Sequence, residues 1–135
     1  MRKIAYWALA AILAVSAFAV VGNVTTASAA DATAASDTTK SFTLVSVMID
    51  DVKFWLPSTI VVNQGDTVKL TLKNQVPGTE NTHGFTIPAY NITQVVTRGA
   101  PTTVSFVADK PGVFTYFCQL HAAHVGGQLI VRAKP

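Results

Sequence analysis

The strong metal-binding side chains of this 135-residue chain fall in two places. Cys118, His121 and His124 share one short stretch, Cys118-Gln-Leu-His121-Ala-Ala-His124, and His83 stands well upstream. These four are all the histidines and the only thiol in the sequence. Taken singly, a cysteine is most often a small buried hydrophobe and a loop histidine is ordinary. Taken together, a soft thiolate with imidazoles is a donor set for copper or zinc, not for magnesium or calcium. Glu80 is a further candidate, as a substitute ligand. A single cysteine excludes an internal disulfide, a four-cysteine zinc site and a centre bridged by two thiolates of one chain. No paired carboxylates or Ser/His/Asp arrangement suggests hydrolysis, and there is no third member for a Cys-His nucleophile.

Residues three apart on a straight strand cannot converge on one ion, whereas a loop can fold them inward. The flanking sequence supplies such a loop. Val113-Phe-Thr-Tyr-Phe117 precedes it and Gly127-Gln-Leu-Ile-Val-Arg132 follows, both rich in strand-forming residues. The remaining chain reads the same way. Ser41–Ile49 alternates, Phe54-Trp55-Leu56 is a short apolar patch ended by Pro57, and Thr59–Val62 runs into the turn Asn63-Gln-Gly-Asp66. Thr67–Lys73 puts Val68, Leu70 and Leu72 on one face; Gly84–Ile87, Gln94–Thr97 and Thr102–Val107 follow, then the turn Asp109-Lys-Pro-Gly112. Seven or eight short strands without a convincing amphipathic helix indicate an all-β sandwich or barrel. His83, just before Gly84-Phe85, is expected to approach the loop from a second strand.

The start of the chain reads as an address. Met1-Arg2-Lys3 is basic, Ile4 to Gly22 is almost unbroken apolar sequence, and Ala27-Ser28-Ala29 is a small-x-small end. This is the pattern of a secretory signal peptide over residues 1–30, cut near Ala29 or Ala30. The competing reading is an uncleaved anchor, since this largely apolar stretch of 19 residues is long enough to cross a bilayer. Either way the rest is exported, to a periplasmic or otherwise extracytoplasmic location. Membrane contact is expected only if this segment is retained. Residues 31–40, small and polar, read as a flexible linker, leaving 41–135 as the functional domain. Beyond Ala30 the positive charges exceed the negative by one, and no Lys/Arg run occurs, so a nucleic-acid partner is not expected.

The domain resembles a cupredoxin. The resemblance rests on His83-Gly-Phe-Thr-Ile, on Phe106-Val-Ala-Asp-Lys-Pro-Gly-Val-Phe-Thr-Tyr-Phe-Cys118, on His121 and on Gly127-Gln-Leu-Ile-Val131. Phe-Val-Ala-Asp-Lys-Pro-Gly is similar to the cupredoxin-like domain of nitrous oxide reductase and cytochrome oxidase subunit II. The string Cys-Gln-Leu-His resembles nitrosocyanin, a red copper protein. The resemblance implies a Greek-key β-sandwich and one copper ion, with His83 as upstream ligand, Cys118 as thiolate and His121 as second imidazole. Two departures stand out. The dinuclear copper domains need two cysteines, and this chain has one. Amicyanin-type loops run Cys-x2-His-x2-Met, and here His124 occupies the methionine position. Met1 and Met48 lie elsewhere in the chain. An imidazole is a stronger, closer donor than a thioether, so a fourth ligand at His124 would favour Cu(II), lower the potential and make the site less purely blue.

The function expected from this is electron transfer by an exported mononuclear copper protein, with a redox partner the sequence does not name. The alternatives are copper handling or delivery, and small-molecule redox catalysis at an open, red-copper-like site. The lack of Met-rich or His-rich tracts weighs against bulk copper storage.

Overall fold

The structure, a computed structural model, describes residues 38–78 and 81–135. The expected signal segment, residues 31–37 of the expected linker, and Glu80 lie outside the described residues. The described part is nearly all β. Its strands are β1 (Thr39–Ile49), β2 (Val52–Leu56), β3 (Thr59–Asn63), β4 (Thr67–Asn74), β5 (Thr82–Ile87), β6 (Ile92–Thr97), β7 (Thr102–Val107), β8 (Gly112–Tyr116) and β9 (Gly127–Arg132). One 3-10 turn, Pro88–Tyr90, separates β5 from β6.

Nine strands are present among the described residues where seven or eight were expected. The additional one is β2, whose sequence shows only a short apolar patch. It forms because Asp50 and Asp51, at φ 49° and 64°, take the left-handed conformation and close a two-residue hairpin that pairs Ile49 with Val52. That turn ordinarily carries Asn-Gly or Asp-Gly. Aspartate tolerates the conformation through its short polar side chain, so the hairpin lacks its usual glycine marker. β1 also begins earlier than expected, at Thr39, where Thr39 and Lys40 pair with Thr67 and Val68. Parallel pairing of backbones needs no apolar side chains, so polar sequence can extend a strand.

Hydrogen bonding joins the strands into three sheets, in the orders β2-β1-β4-β7, β3-β9-β8 and β5-β6. β1 and β4 pair in parallel, as do β3 and β9; the other pairs are antiparallel. The period-2 pattern sends alternate side chains inward. Leu44, Ile60, Val62, Val68, Leu70, Leu72, Leu129 and Val131 fill the sandwich core with Trp55, Phe85 and Tyr116. Phe85 meets Trp55 edge-on at 5.3 Å and Tyr116 at 5.3 Å. β5 is buried continuously from His83 to Ile87, which makes it a rigid support for whatever it carries.

Two buried polar side chains lock the turns. Asn74 donates to the carbonyls of Asn81 (2.8 Å) and Val96 (3.2 Å) and accepts from Val76 N–H (3.0 Å), tying the end of β4 to the approach to His83. Asp66 accepts from Asn63 N–H (2.9 Å), Thr38 N–H (3.2 Å) and the Thr38 hydroxyl (2.9 Å). The Asn63 amide, aided by Thr38 and Lys40 and opposed by burial, holds its carboxyl below the usual aspartate value. A depressed folded-state value means the contribution is complete above the ordinary aspartate range and is lost as pH falls through the folded value. Asp66→Asn, whose amide would face donors, should cost about 1–3 kcal/mol at neutral pH in urea melts. That deficit should shrink below pH 4.

Candidate metal centre

The four residues singled out in the sequence come from two directions. His83 lies on β5, opposite Val96 of β6. Beyond the end of β8, Phe117 exchanges two backbone hydrogen bonds with Thr86 of β5, at 2.9 and 3.1 Å. This brings Cys118 beside Gly84, whose N–H donates to Cys118 Sγ at 3.1 Å. The loop then turns back, with His124 N–H bonded to the His121 carbonyl at 3.0 Å. It is fastened to β2 at its far end: Val125 N–H donates to the Lys53 carbonyl (2.8 Å) and Trp55 N–H to the Val125 carbonyl (2.9 Å). Gly126 follows because a Cβ there would sit 2.1 Å from the Tyr116 carbonyl oxygen. Only glycine allows so close an approach of two backbones.

His83, Cys118 and His124 are buried and offer ligand atoms within 4.8 Å of one another. His121 is not in that set but lies beside it. It is exposed, its Nδ1 lies 3.5 Å from Cys118 Sγ, and its ring is 4.9 Å from that of His83. The His83 and His124 rings meet edge-on at 4.7 Å. Among the described residues, the buried side-chain nitrogens and oxygens without a hydrogen-bond partner are His83 Nδ1, His83 Nε2 and His124 Nδ1. Unpaired buried polar atoms are rare in folded proteins and ask for an explanation. A cation held among these atoms would supply one, and a thiol with neutral imidazoles is the donor set it requires. The residues therefore fit a soft or borderline metal ion.

The electrostatics favour the same state. Burial first, then the neighbouring His124, His121 and Lys53, push His83 down to about 4. Burial, with smaller effects of His121 and Lys53, lowers His124 as well, against a raising contribution from the Phe54 backbone. Both rings are thus neutral at physiological pH, with lone pairs free to bind.

Three further residues belong to the site and were not legible as such. Trp55 stacks on His124, ring centroids 5.7 Å apart and planes within 5°. Its indole N–H donates to the Gly84 carbonyl at 3.0 Å. Ser46, fully buried, has its Oγ 3.4 Å from His124 Nε2, which leaves His124 Nδ1 for the cluster. Gly84 supplies the N–H that meets the thiol. Ser46 carried one faint signal, a hydroxyl at an inward position of β1 two residues after Leu44.

A β-sandwich that brings a thiol and two imidazoles of one loop beside a third imidazole on a neighbouring strand defines a class of metal-binding domains. The chain belongs to the cupredoxin-like domain family, which matches it over residues 9–131. Over 68 residues it is 46% identical to a nitrous-oxide reductase from Cupriavidus necator, covering 47% of this chain and 10% of that protein. A nitrous-oxide reductase from Stutzerimonas stutzeri is 33% identical over 66 residues. The chain spans about a tenth of the length of these curated relatives. Among solved structures, a copper nitrite reductase from Nitrosomonas europaea superposes with a TM-score of 0.61 at 26% identity, covering 70% of this chain and 42% of that one.

The depressed His83 value gives a test without metal. In metal-free protein the His83 ring proton signals should titrate near pH 4 by NMR, not near the ordinary 6.5. Because the unfolded ring takes up a proton first, stability should be full above pH 6.5 and should fall as the pH drops from there towards 4.

Proposed function

We propose that the domain holds one copper ion between His83, Cys118, His121 and His124 and passes single electrons outside the cytoplasm. The observation that carries this reading is the set of unpartnered ring nitrogens on His83 and His124, buried beside the only thiol. Names of similar proteins, a nitrous-oxide reductase and a copper nitrite reductase, support copper as the ion. Copper, when bound, supplies a one-electron couple between Cu(II) and Cu(I).

The protein's part is to keep the donors still. Cys118 is fastened to β5 through the Phe117–Thr86 pair, and His83 is set within a buried strand. His124 is clamped between Trp55 and Ser46. Donors fixed this way need little rearrangement when the charge changes. His121 is the exposed member, and Phe117, Leu120 and Val125 of the same stretch of chain are 39–46% exposed. Exposed apolar side chains on the stretch that carries a solvent-facing ligand suit brief contact with a partner protein, through which an electron arrives or leaves. The extracytoplasmic location rests on the basic, apolar and small-residue pattern of residues 1–30. No helix among the described residues is long and apolar enough to cross a membrane.

Loading the purified domain with Cu(II) should produce an intense sulfur-to-copper charge-transfer band that disappears in Cys118→Ser. A colourless complex, or a preference for zinc in direct competition, would refute the reading. Rapid loss of the ion to an external chelator would mark delivery instead of electron transfer.

The His124 substitution has its own outcome. His124→Met should strengthen the blue band and raise the reduction potential, by about 59 mV for each tenfold gain in the Cu(I) to Cu(II) ratio. His121→Ala should be more damaging than His124→Ala. An unchanged spectrum and potential in His124→Met would mean that His124 is not a ligand.

A further inference from the structure

Gln119 is the residue after Cys118, and its backbone lies on the exposed loop. The residue is exposed, yet its side-chain amide is anchored at both ends. The amide folds back over β5, where Thr86 Oγ1 donates to Gln119 Oε1 at 2.8 Å. Gln119 Nε2 donates to the Gln94 carbonyl on β6 at 3.0 Å. Both ends of the amide are thus used, one on each strand of the β5-β6 pair.

Between those anchors the amide covers Gly84. A Cβ on Gly84 would lie 2.1 Å from Gln119 Oε1, 2.4 Å from Cδ and 2.8 Å from Nε2. The space a side chain would occupy is therefore filled by the Gln119 amide. Gly84 is buried, although it carries no side chain of its own. Its peptide is held from three sides: Trp55 Nε1 binds its carbonyl, Cys118 Sγ accepts its N–H at 3.1 Å, and Gln119 closes the outer face.

We propose that Gln119 is a positioning residue that presses the Gly84 N–H onto the Cys118 sulfur and keeps water from that contact, and so raises the potential of the metal centre. The inference rests on the copper reading above only for its last clause. A hydrogen bond to a thiolate withdraws electron density from sulfur, which weakens its donation to Cu(II) more than to Cu(I). Water admitted beside the sulfur acts in the same direction as losing that bond, because it favours the more highly charged Cu(II) state. Removing the amide should therefore lower the potential by both routes. The geometry also accounts for glycine at position 84, since any larger residue would displace Gln119.

The test uses Gln119→Ala and Thr86→Val, the second keeping Gln119 but removing one of its anchors. In metal-free protein, amide exchange at Gly84 followed by NMR should accelerate on the order of fivefold in Gln119→Ala, and less in Thr86→Val. In copper-loaded protein the potential should fall in the same order. A shift of roughly threefold to tenfold in the one-electron equilibrium corresponds to about 30 to 59 mV. The charge-transfer band should move with it. Unchanged Gly84 exchange in Gln119→Ala would overturn the positioning role. Faster exchange with an unchanged potential would overturn the coupling to the metal. Wild-type protein that failed to bind copper would defeat the copper reading, while the metal-free exchange would still decide whether Gln119 holds Gly84.

Discussion

The site is organised around an imidazole that is buried with nothing to bind. His83 is 2% exposed and neither of its ring nitrogens has a hydrogen-bond partner. An unsatisfied buried polar group costs about 1–3 kcal/mol, and His124 Nδ1 adds to that burden. Burial also expels the proton, which is why His83 sits near 4 and not near 6.5. A ring held neutral and unpartnered is poor for stability and ready for a cation. Metal binding would remove the penalty, so loading and folding should be thermodynamically linked.

The rest of the architecture serves to keep that arrangement from relaxing. A free loop would let the histidines swing to water. Here the loop is stitched at one end to β5 through Phe117 and Thr86, and at the other to β2 through Val125. β5 cannot give way, because it is buried along its length and paired with β6 in full register. Trp55 joins the two halves of the support. It belongs to β2, yet its ring stacks on His124 and its N–H holds the Gly84 carbonyl. The core aromatics Phe85 and Tyr116 continue from it into the sandwich.

Much of this was legible in the sequence, for definite reasons. Strict alternation in Thr67–Lys73 and the branched residues of Thr102–Val107 announce strands, and both form. The ligand candidates are visible because so few soft donors occur; the structure brings His83, Cys118 and His124 together, with His121 beside Cys118 and His83. β2 was read short because two aspartates make its turn without glycine. The supporting residues were hidden for a different reason. Ser46, Trp55 and Gln119 act through contacts with residues far away in sequence or on other strands; beyond the inward register of Ser46 on β1, their local pattern does not set them apart from an ordinary hydroxyl, a core aromatic and a loop amide. Gly84 is similar: its importance lies in what presses on it.

The stacking of Trp55 on His124 has a practical consequence for measurement. The sequence holds two tryptophans, and the other, Trp7, lies in the N-terminal segment. In protein prepared without residues 1–30, all indole emission comes from a ring whose centroid is 5.7 Å from that of His124. The fluorophore is shielded from water and sits one imidazole away from the site. Its brightness would respond to occupancy by a quenching Cu(II) ion and recover on reduction or removal of the metal. The fold thus carries its own optical gauge, with no label attached and no residue altered.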